Sequence, residues 1–230
     1  MKNDGQIFPR WCNTLAWASI AGLILMGGTM ICLLAVVTRS PYLTRVDIPL
    51  EQPVPFSHEH HVGGMGIDCR YCHTTSEISP FAGVPSVETC MTCHSQVWKD
   101  APMLQPIRDS FLSGKPVAWN RVHDLPDFVY FDHSAHVNKG VACRECHGRV
   151  DRMPLISRQE TLFMGWCLAC HRHPEGALGP REAVFTPRPP DQSEIRSWLQ
   201  AHAGAPARPE MERPPSVTAQ RLTDCSACHR

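Results

Sequence analysis

From Leu15 to Val37 the chain reads LAWASIAGLILMGGTMICLLAVV, 23 residues without a charge. At about 1.5 Å per residue a helix over this run spans about 35 Å, enough for the hydrocarbon core of a bilayer. The exit, Val37-Thr38-Arg39-Ser40-Pro41, offers no small-x-small cleavage site, which favours a retained anchor over a cleaved signal. Ala18 and Gly22, with Gly27-Gly28, form a thin strip on which a second helix can seat. Beyond the anchor no long apolar or alternating run recurs. Pro41, Pro49, Pro53 and Pro55 make residues 38–55 read as a short, stiff stalk. Pro80, Pro85, Pro102, Pro106, Pro116 and Pro126 then cut the chain into short pieces that predict small helices and irregular links. Residues 174–230 form a proline-rich strap, with one amphipathic helix expected over 191–203. There Ile195, Trp198, Leu199 and His202 share a face, and Asp191 and Glu194 form the cap.

The charge balance is even, with 22 basic against 22 acidic residues. Nucleic-acid binding by phosphate neutralisation is therefore not expected. With 21 prolines in 230 residues, an ordinary side-chain core is not expected either. Something other than side chains must fill the interior, and the 12 cysteines say what.

Ten of them fall in five Cys-x-x-Cys-His segments: Cys69–Cys72–His73, Cys90–Cys93–His94, Cys143–Cys146–His147, Cys167–Cys170–His171 and Cys225–Cys228–His229. This is the attachment signature of c-type haem. Two thiols three residues apart lie on one side of a helical turn and reach both vinyl groups of one ring. The next histidine reaches the iron as proximal ligand. Structural zinc would join one Cys-x-x-Cys pair to another and a redox dithiol would use a single pair, but neither explains a histidine after every second cysteine. Five covalently attached haem c groups are expected. Cys12 and Cys32 lie outside the pattern and read as small hydrophobes.

The expected fold is mostly irregular chain and small helices packed around haems, behind one transmembrane helix. A duplication organises it. Phe56-x-His58-x-x-His61 precedes the first two motifs and Phe131-x-His133-x-x-His136 the next two. Both histidines are offset by 75 residues, and the motifs by 74 and 77. Histidines at i and i+3 leave one side of a turn and can bind two different irons. His58, His61, His133 and His136 are thus the candidate distal ligands; the register favours His61 over His60, its alternative. The organisation reads as residues 1–14 inside, 15–37 the anchor, 38–55 the stalk, 56–118 the first two-haem module, 119–173 the second, and 174–230 the strap ending in the fifth site. For the fifth distal ligand His123 ranks first and Met153 second, with Met164, His173 and His202 behind. Trp119, Trp166, Phe81 and Phe163 are expected to pack around the rings.

Flanking charges (Lys2 and Arg10 against Arg39 and Arg45) do not orient the anchor. Haem attachment on the oxidising side does: the N-terminus is expected inside and the haem region in the periplasm of a bacterial inner membrane.

The duplicated module resembles the class III cytochromes of the c3 and c7 type. The anchor, WNRVHDLPDFVYFDHSAHV, CRECHGRVDRM, LFMGWCLACHR and the terminal TDCSACHR together resemble the pentahaem subunit of alternative complex III, over roughly residues 10–173 and 222–230. That resemblance implies a quinol:electron-acceptor oxidoreductase. Quinol would be oxidised in polytopic membrane subunits, and electrons would pass through an iron–sulfur protein subunit and this chain to a monohaem cytochrome c or terminal oxidase. The chain itself would be an electron-transfer component and not the quinol-oxidising catalyst alone. The same family mixes bis-histidine haems with one His/Met haem, which favours Met153 or Met164 over His123. Two rivals are an anchored multihaem quinol dehydrogenase and the electron-input subunit of a quinone-reducing complex. The former places its first haem close behind the anchor, whereas 31 residues separate Val37 from Cys69 here.

Overall fold

The computed structural model describes residues 7–188, 193, 197 and 222–229. The expected helix over 191–203, including His202, lies outside the described residues apart from Ser193 and Ser197. The chain divides into two units, the residues up to Arg45 and those from Val46 onward.

In the first unit the charge-free run lies within helix α1, Trp11–Arg39, 29 residues long with none buried. It exceeds the predicted span because Asn13, Thr14 and Thr38 are compatible with helix, and the Thr38 hydroxyl donates back to the Leu34 carbonyl at 2.8 Å. Length and composition make α1 a candidate membrane span. It ends where the Ser40 N–H donates to the Val37 carbonyl and Pro41 follows. The predicted stalk opens with one more helical turn, α2, Pro41–Thr44. Proline at its first position suits a helix start, and Arg45 closes it at φ 55°.

In the second unit the rest of the stalk is docked. The Asp47 N–H donates to the Arg158 carbonyl at 2.8 Å, and Val46 and Pro49 bridge to Arg158 and Ser157. Short helices follow: α3 (Cys69–Cys72), α4 (Val87–His94), α5 (Gln105–Ser113), α6 (His133–Asn138), α7 (Cys143–His147), α8 (Met164–Arg172) and α9 (Cys225–Cys228). A wide π-type turn spans Glu59–Gly64. Local chemistry sets the ends. The Asp68 carboxylate accepts from Arg70 N–H to start α3, Asp132 accepts from Ala135 N–H to start α6, and Gly114 at φ 67° stops α5. Among the described residues there is no sheet, only isolated bridges.

The side-chain core is small. Val54, Leu104 and Ile107 are buried together, with Val87, Met91, Val117 and Trp119 against them. Trp166 is half-buried, whereas Phe81 and Phe163 lie exposed on the polypeptide. Gly140 marks a close backbone crossing. It sits at φ 94°, and a Cβ there would lie 2.5 Å from the Gly179 carbonyl oxygen, which is held by the Gly179 N–H to Gly140 O bond of 3.0 Å. Gly140→Ala combines a left-handed conformation with a backbone clash and is expected to cost about 2–3 kcal/mol. A thermal melt of the purified chain checks this, and an unchanged midpoint would contradict it.

Candidate functional site

Each Cys-x-x-Cys pair occupies one helical turn: α3, α7, α9, and the C-terminal halves of α4 and α8. The two thiols of each motif therefore leave the same side, and the histidine that follows closes or ends the turn. None of the twelve cysteines is joined to another in a disulfide. Burial holds Cys72, Cys90 and Cys167 above the ordinary thiol range and pushes Cys146 up to about 12. The Cys69 and Cys143 thiols share a hydrogen bond, which draws Cys69 down and Cys143 up. The charge interactions that shift these groups also connect Cys90 with Cys72, Cys146 with Cys170, and Cys167 with Cys228.

Seven of the histidines singled out by sequence share one feature. The Nδ1 of His73 donates to Gly83 O (2.7 Å), His94 to Val97 O (2.9 Å), His171 to Leu222 O (2.7 Å) and His229 to Phe128 O (3.1 Å). His61 donates to Ser57 O (2.8 Å), His133 to Pro80 O (2.8 Å) and His136 to Asp132 O (2.7 Å). A carbonyl oxygen can only accept, so the ring proton sits on Nδ1 and the Nε2 lone pair is left for a metal.

The rings meet in twos. His61 and His94 have centroids 6.2 Å apart, His133 and His147 6.3 Å with planes inclined by only 11°, and His136 and His171 6.0 Å. Two imidazoles bonded to opposite faces of one metal, each nitrogen at about 2 Å, have centroids about 6 Å apart. Among the described residues no three metal-binding side chains converge on one point, as structural zinc requires. The arrangement suits a planar macrocycle that supplies four ligands itself and takes two from the chain.

The aromatic residue before each pair fixes the turn in the same way twice. Phe56 stacks on His61 at 4.4 Å and meets His58 edge-on at 4.9 Å. Phe131 stacks on His136 at 4.5 Å and meets His133 edge-on at 4.7 Å. His60 is exposed and stacks on Trp98, 6.1 Å between centroids.

Burial keeps the central imidazoles neutral. It lowers His58 to about 4, with His73 and His61 adding repulsion. It lowers His147 to about 3, helped by His123, His133, His73 and His58. His61 and His136 are shifted down for the same leading reason. At neutral pH these lone pairs carry no competing proton.

The candidates for the fifth distal position have the following surroundings. His123, lowered to about 4 by burial and by Arg158, lies 4.3 Å from the His147 ring with its Nε2 buried and unpartnered. Met153 is buried, and its carbonyl accepts from Glu59 N–H at 3.1 Å, beside His58. Met164 opens α8 and is 66% exposed, and His173 ends that helix. His229 stacks on Phe128 at 5.8 Å and bridges to Val129.

Two elements carry no sequence signal. Arg158 donates to the Val122 and Asp124 carbonyls, both at 3.2 Å, and so fixes the loop around His123. Val184, 1% exposed, accepts from Cys143 N–H at 3.1 Å, while the Cys69 thiol donates to the Phe185 carbonyl at 3.5 Å. The Arg70 guanidinium caps the Phe185 ring at 4.6 Å.

The family of cytochrome c7 and related cytochromes c matches residues 129–230, and the class III cytochrome c family matches residues 36–107. The chain is also 41% identical over 98 residues to a protein of Nitratidesulfovibrio vulgaris described as menaquinone reductase, multiheme cytochrome c subunit. The matched stretch is 42% of this chain and 46% of that one, so the likeness spans just under half of the relative. The paired imidazoles and the repeated attachment motifs fall within these matches, which together support a multihaem cytochrome c like those of class III and c7, with covalently bound haem c.

Proposed function

We propose that this chain is the five-haem electron-transfer subunit of a membrane quinol:electron-acceptor oxidoreductase of the alternative complex III kind. The observation that carries the reading is the set of histidine pairs with centroids 6.0 to 6.3 Å apart and Nδ1 protons committed to carbonyls. His73, His94, His147, His171 and His229 are the proximal ligands, and the ten motif cysteines hold the rings. His61 lies opposite His94, His133 opposite His147 and His136 opposite His171. By the same rule of the duplicated module, His58 lies opposite His73, its neighbour in the fold. These four distal histidines serve the first four motifs, and the ligand opposite His229 comes from elsewhere in the chain. When bound, haem supplies one-electron chemistry at an iron with no open face. The polypeptide binds, orients and shields it.

Helix α1 anchors the chain in a bacterial inner membrane, N-terminus inside, with the haem region in the periplasm. Its partners are polytopic quinol-binding subunits, an iron–sulfur protein subunit, and a monohaem cytochrome c or terminal oxidase as acceptor. A second reading is supported by the description of the N. vulgaris relative: the same wire feeding electrons to quinone.

Mild solubilisation of native membranes followed by native mass analysis tests both. Recovery with iron–sulfur and polytopic subunits, and haem reduction by added quinol, is the expected result. Quinone reduction driven by a reduced periplasmic cytochrome would move the assignment to the second reading. Recovery of the chain alone, still reduced by quinol, would sink both in favour of a small anchored quinol dehydrogenase.

A further inference from the structure

We propose that the five attachment sites form one row in the spatial order second, first, third, fourth, fifth, so that the sites at His94 and His229 are its two ends. This rests on the five-haem reading and adds to it the arrangement, which the sequence order conceals.

Each link in the row is carried by its own contact. The second and first motifs are joined across helices α4 and α3, where the Thr92 and Tyr71 hydroxyls share a hydrogen bond of 3.0 Å. The first and third are joined back to back. The Cys69 thiol and the Cys143 N–H are held by adjacent residues, Phe185 and Val184. A second tie runs between the same two sites. Pro80, seven residues past His73, accepts from both the N–H and the Nδ1 of His133, at 3.2 and 2.8 Å. The third and fourth are joined by the single turn of α6, whose His133 faces His147 and whose His136 faces His171. The fourth and fifth are joined through Leu222, three residues before Cys225, which accepts from His171 Nδ1 at 2.7 Å. The fifth site is also tied from its own side. The Tyr130 N–H donates to Cys228 O at 2.8 Å, and Phe128 O accepts from His229 Nδ1.

The arrangement has a consequence for partners. A duplicated chain laid out in sequence order would place the first and fifth motifs at the ends. Here the two modules are joined first site to third site, so the first motif lies inside the row although it comes first in the chain. The ends are instead the second motif, on α4, and the fifth, on α9. An electron donor and an electron acceptor must each come within reach of an end. An electron that crosses the whole row enters at one of these ends and leaves at the other, and a partner at the first motif would enter the row in its interior.

The test is a map of iron positions in the full chain within its native membrane assembly, by cryo-electron microscopy. The expected map has five irons. The one bonded to His94 has the His73 iron as its nearest neighbour, the His73 iron lies between those of His94 and His147, and the His229 iron is nearest to that of His171. Five irons with the His73 iron at an end, or with the His229 iron nearest to any other, would overturn the order and leave the five-haem reading standing. Fewer than five irons would overturn the reading itself, and with it a row of five.

Discussion

Replacing Cys143 and Cys146 together with alanine will yield a chain that carries one haem fewer and is much less stable than the parent. The third motif is where the fold depends most on its prosthetic group. His147 is surrounded by His123, His133, His73 and His58, and the Cys143 N–H donates to the carbonyl of the fully buried Val184. Side chains contribute single buried residues here, such as Val137, Ala142 and Val184, whereas the cluster of buried hydrophobic side chains among the described residues sits around Val54, Leu104 and Ile107, near the second motif. Losing a large apolar group from such a site should cost at least as much as an aromatic-to-alanine change in a core, about 3–5 kcal/mol. Against a total stability of about 5–15 kcal/mol this is a large share, and the amount of folded chain should fall tenfold or more. The matching double substitution at Cys90 and Cys93 should be milder, since α4 retains its contacts with that hydrophobic cluster. Intact-mass counting of haems and a thermal melt check both variants. Equal melting points for the two would show that the third site is not central.

His136→Met will raise the midpoint potential of one haem by about 0.1 V or more, within the roughly 0.8 V range that axial ligands command. The His136 ring lies 6.0 Å from that of His171, its Nδ1 is held by Asp132 O, and Phe131 stacks on it. Methionine is close in length and fits a turn already fixed by the Asp132 cap. A thioether ligand stabilises the reduced iron relative to imidazole, hence the upward direction. A redox titration should then resolve one component moved up and the others in place. His60→Met is the control, because His60 stacks on Trp98 at the surface and should leave every component where it was. A titration curve unchanged by His136→Met would remove His136 from the ligand set.

How far these sites could be read from sequence depends on the range of the interaction concerned. The anchor was legible because a run without charges leaves an unbroken trace, and the structure only lengthens it to Trp11–Arg39. The motifs and the two histidine turns were legible because their chemistry is confined to four or five residues, and the Phe-x-His-x-x-His repeats adopt the same ring geometry twice. The layout between sites was not. It depends on ties such as Cys69 to Phe185, 116 residues apart, and Arg158 to Val122, 36 apart, that follow no periodic pattern. Backbone carbonyls are present at every position, so no composition could mark Gly83, Pro80 or Leu222 as the acceptors. The docking of Val46–Pro49 on Ser157–Arg158 escaped notice for a related reason. Proline density announces stiffness but not where a stiff segment lies. His123 and Met153 were singled out by proximity in sequence, and the fold sets His123 against His147 and Met153 beside His58.

The carbonyls that orient the imidazoles also bear on the order in which the sites can be completed as the chain is made, earlier residues first. His94 finds its acceptor at Val97 and His73 at Gly83, so these two sites can be ordered as soon as a short stretch beyond them has emerged. His229 turns back to Phe128, already present when it arrives. His171 is different: its acceptor, Leu222, is 51 residues downstream. The fourth site thus waits, its thiols available but its ligand not yet oriented, until the segment that begins the fifth has been threaded through. A chain that stops before residue 222 would lack the fifth motif and would also leave the His171 ring without its acceptor, so quality control acting on the last motif would be inspecting the fourth as well.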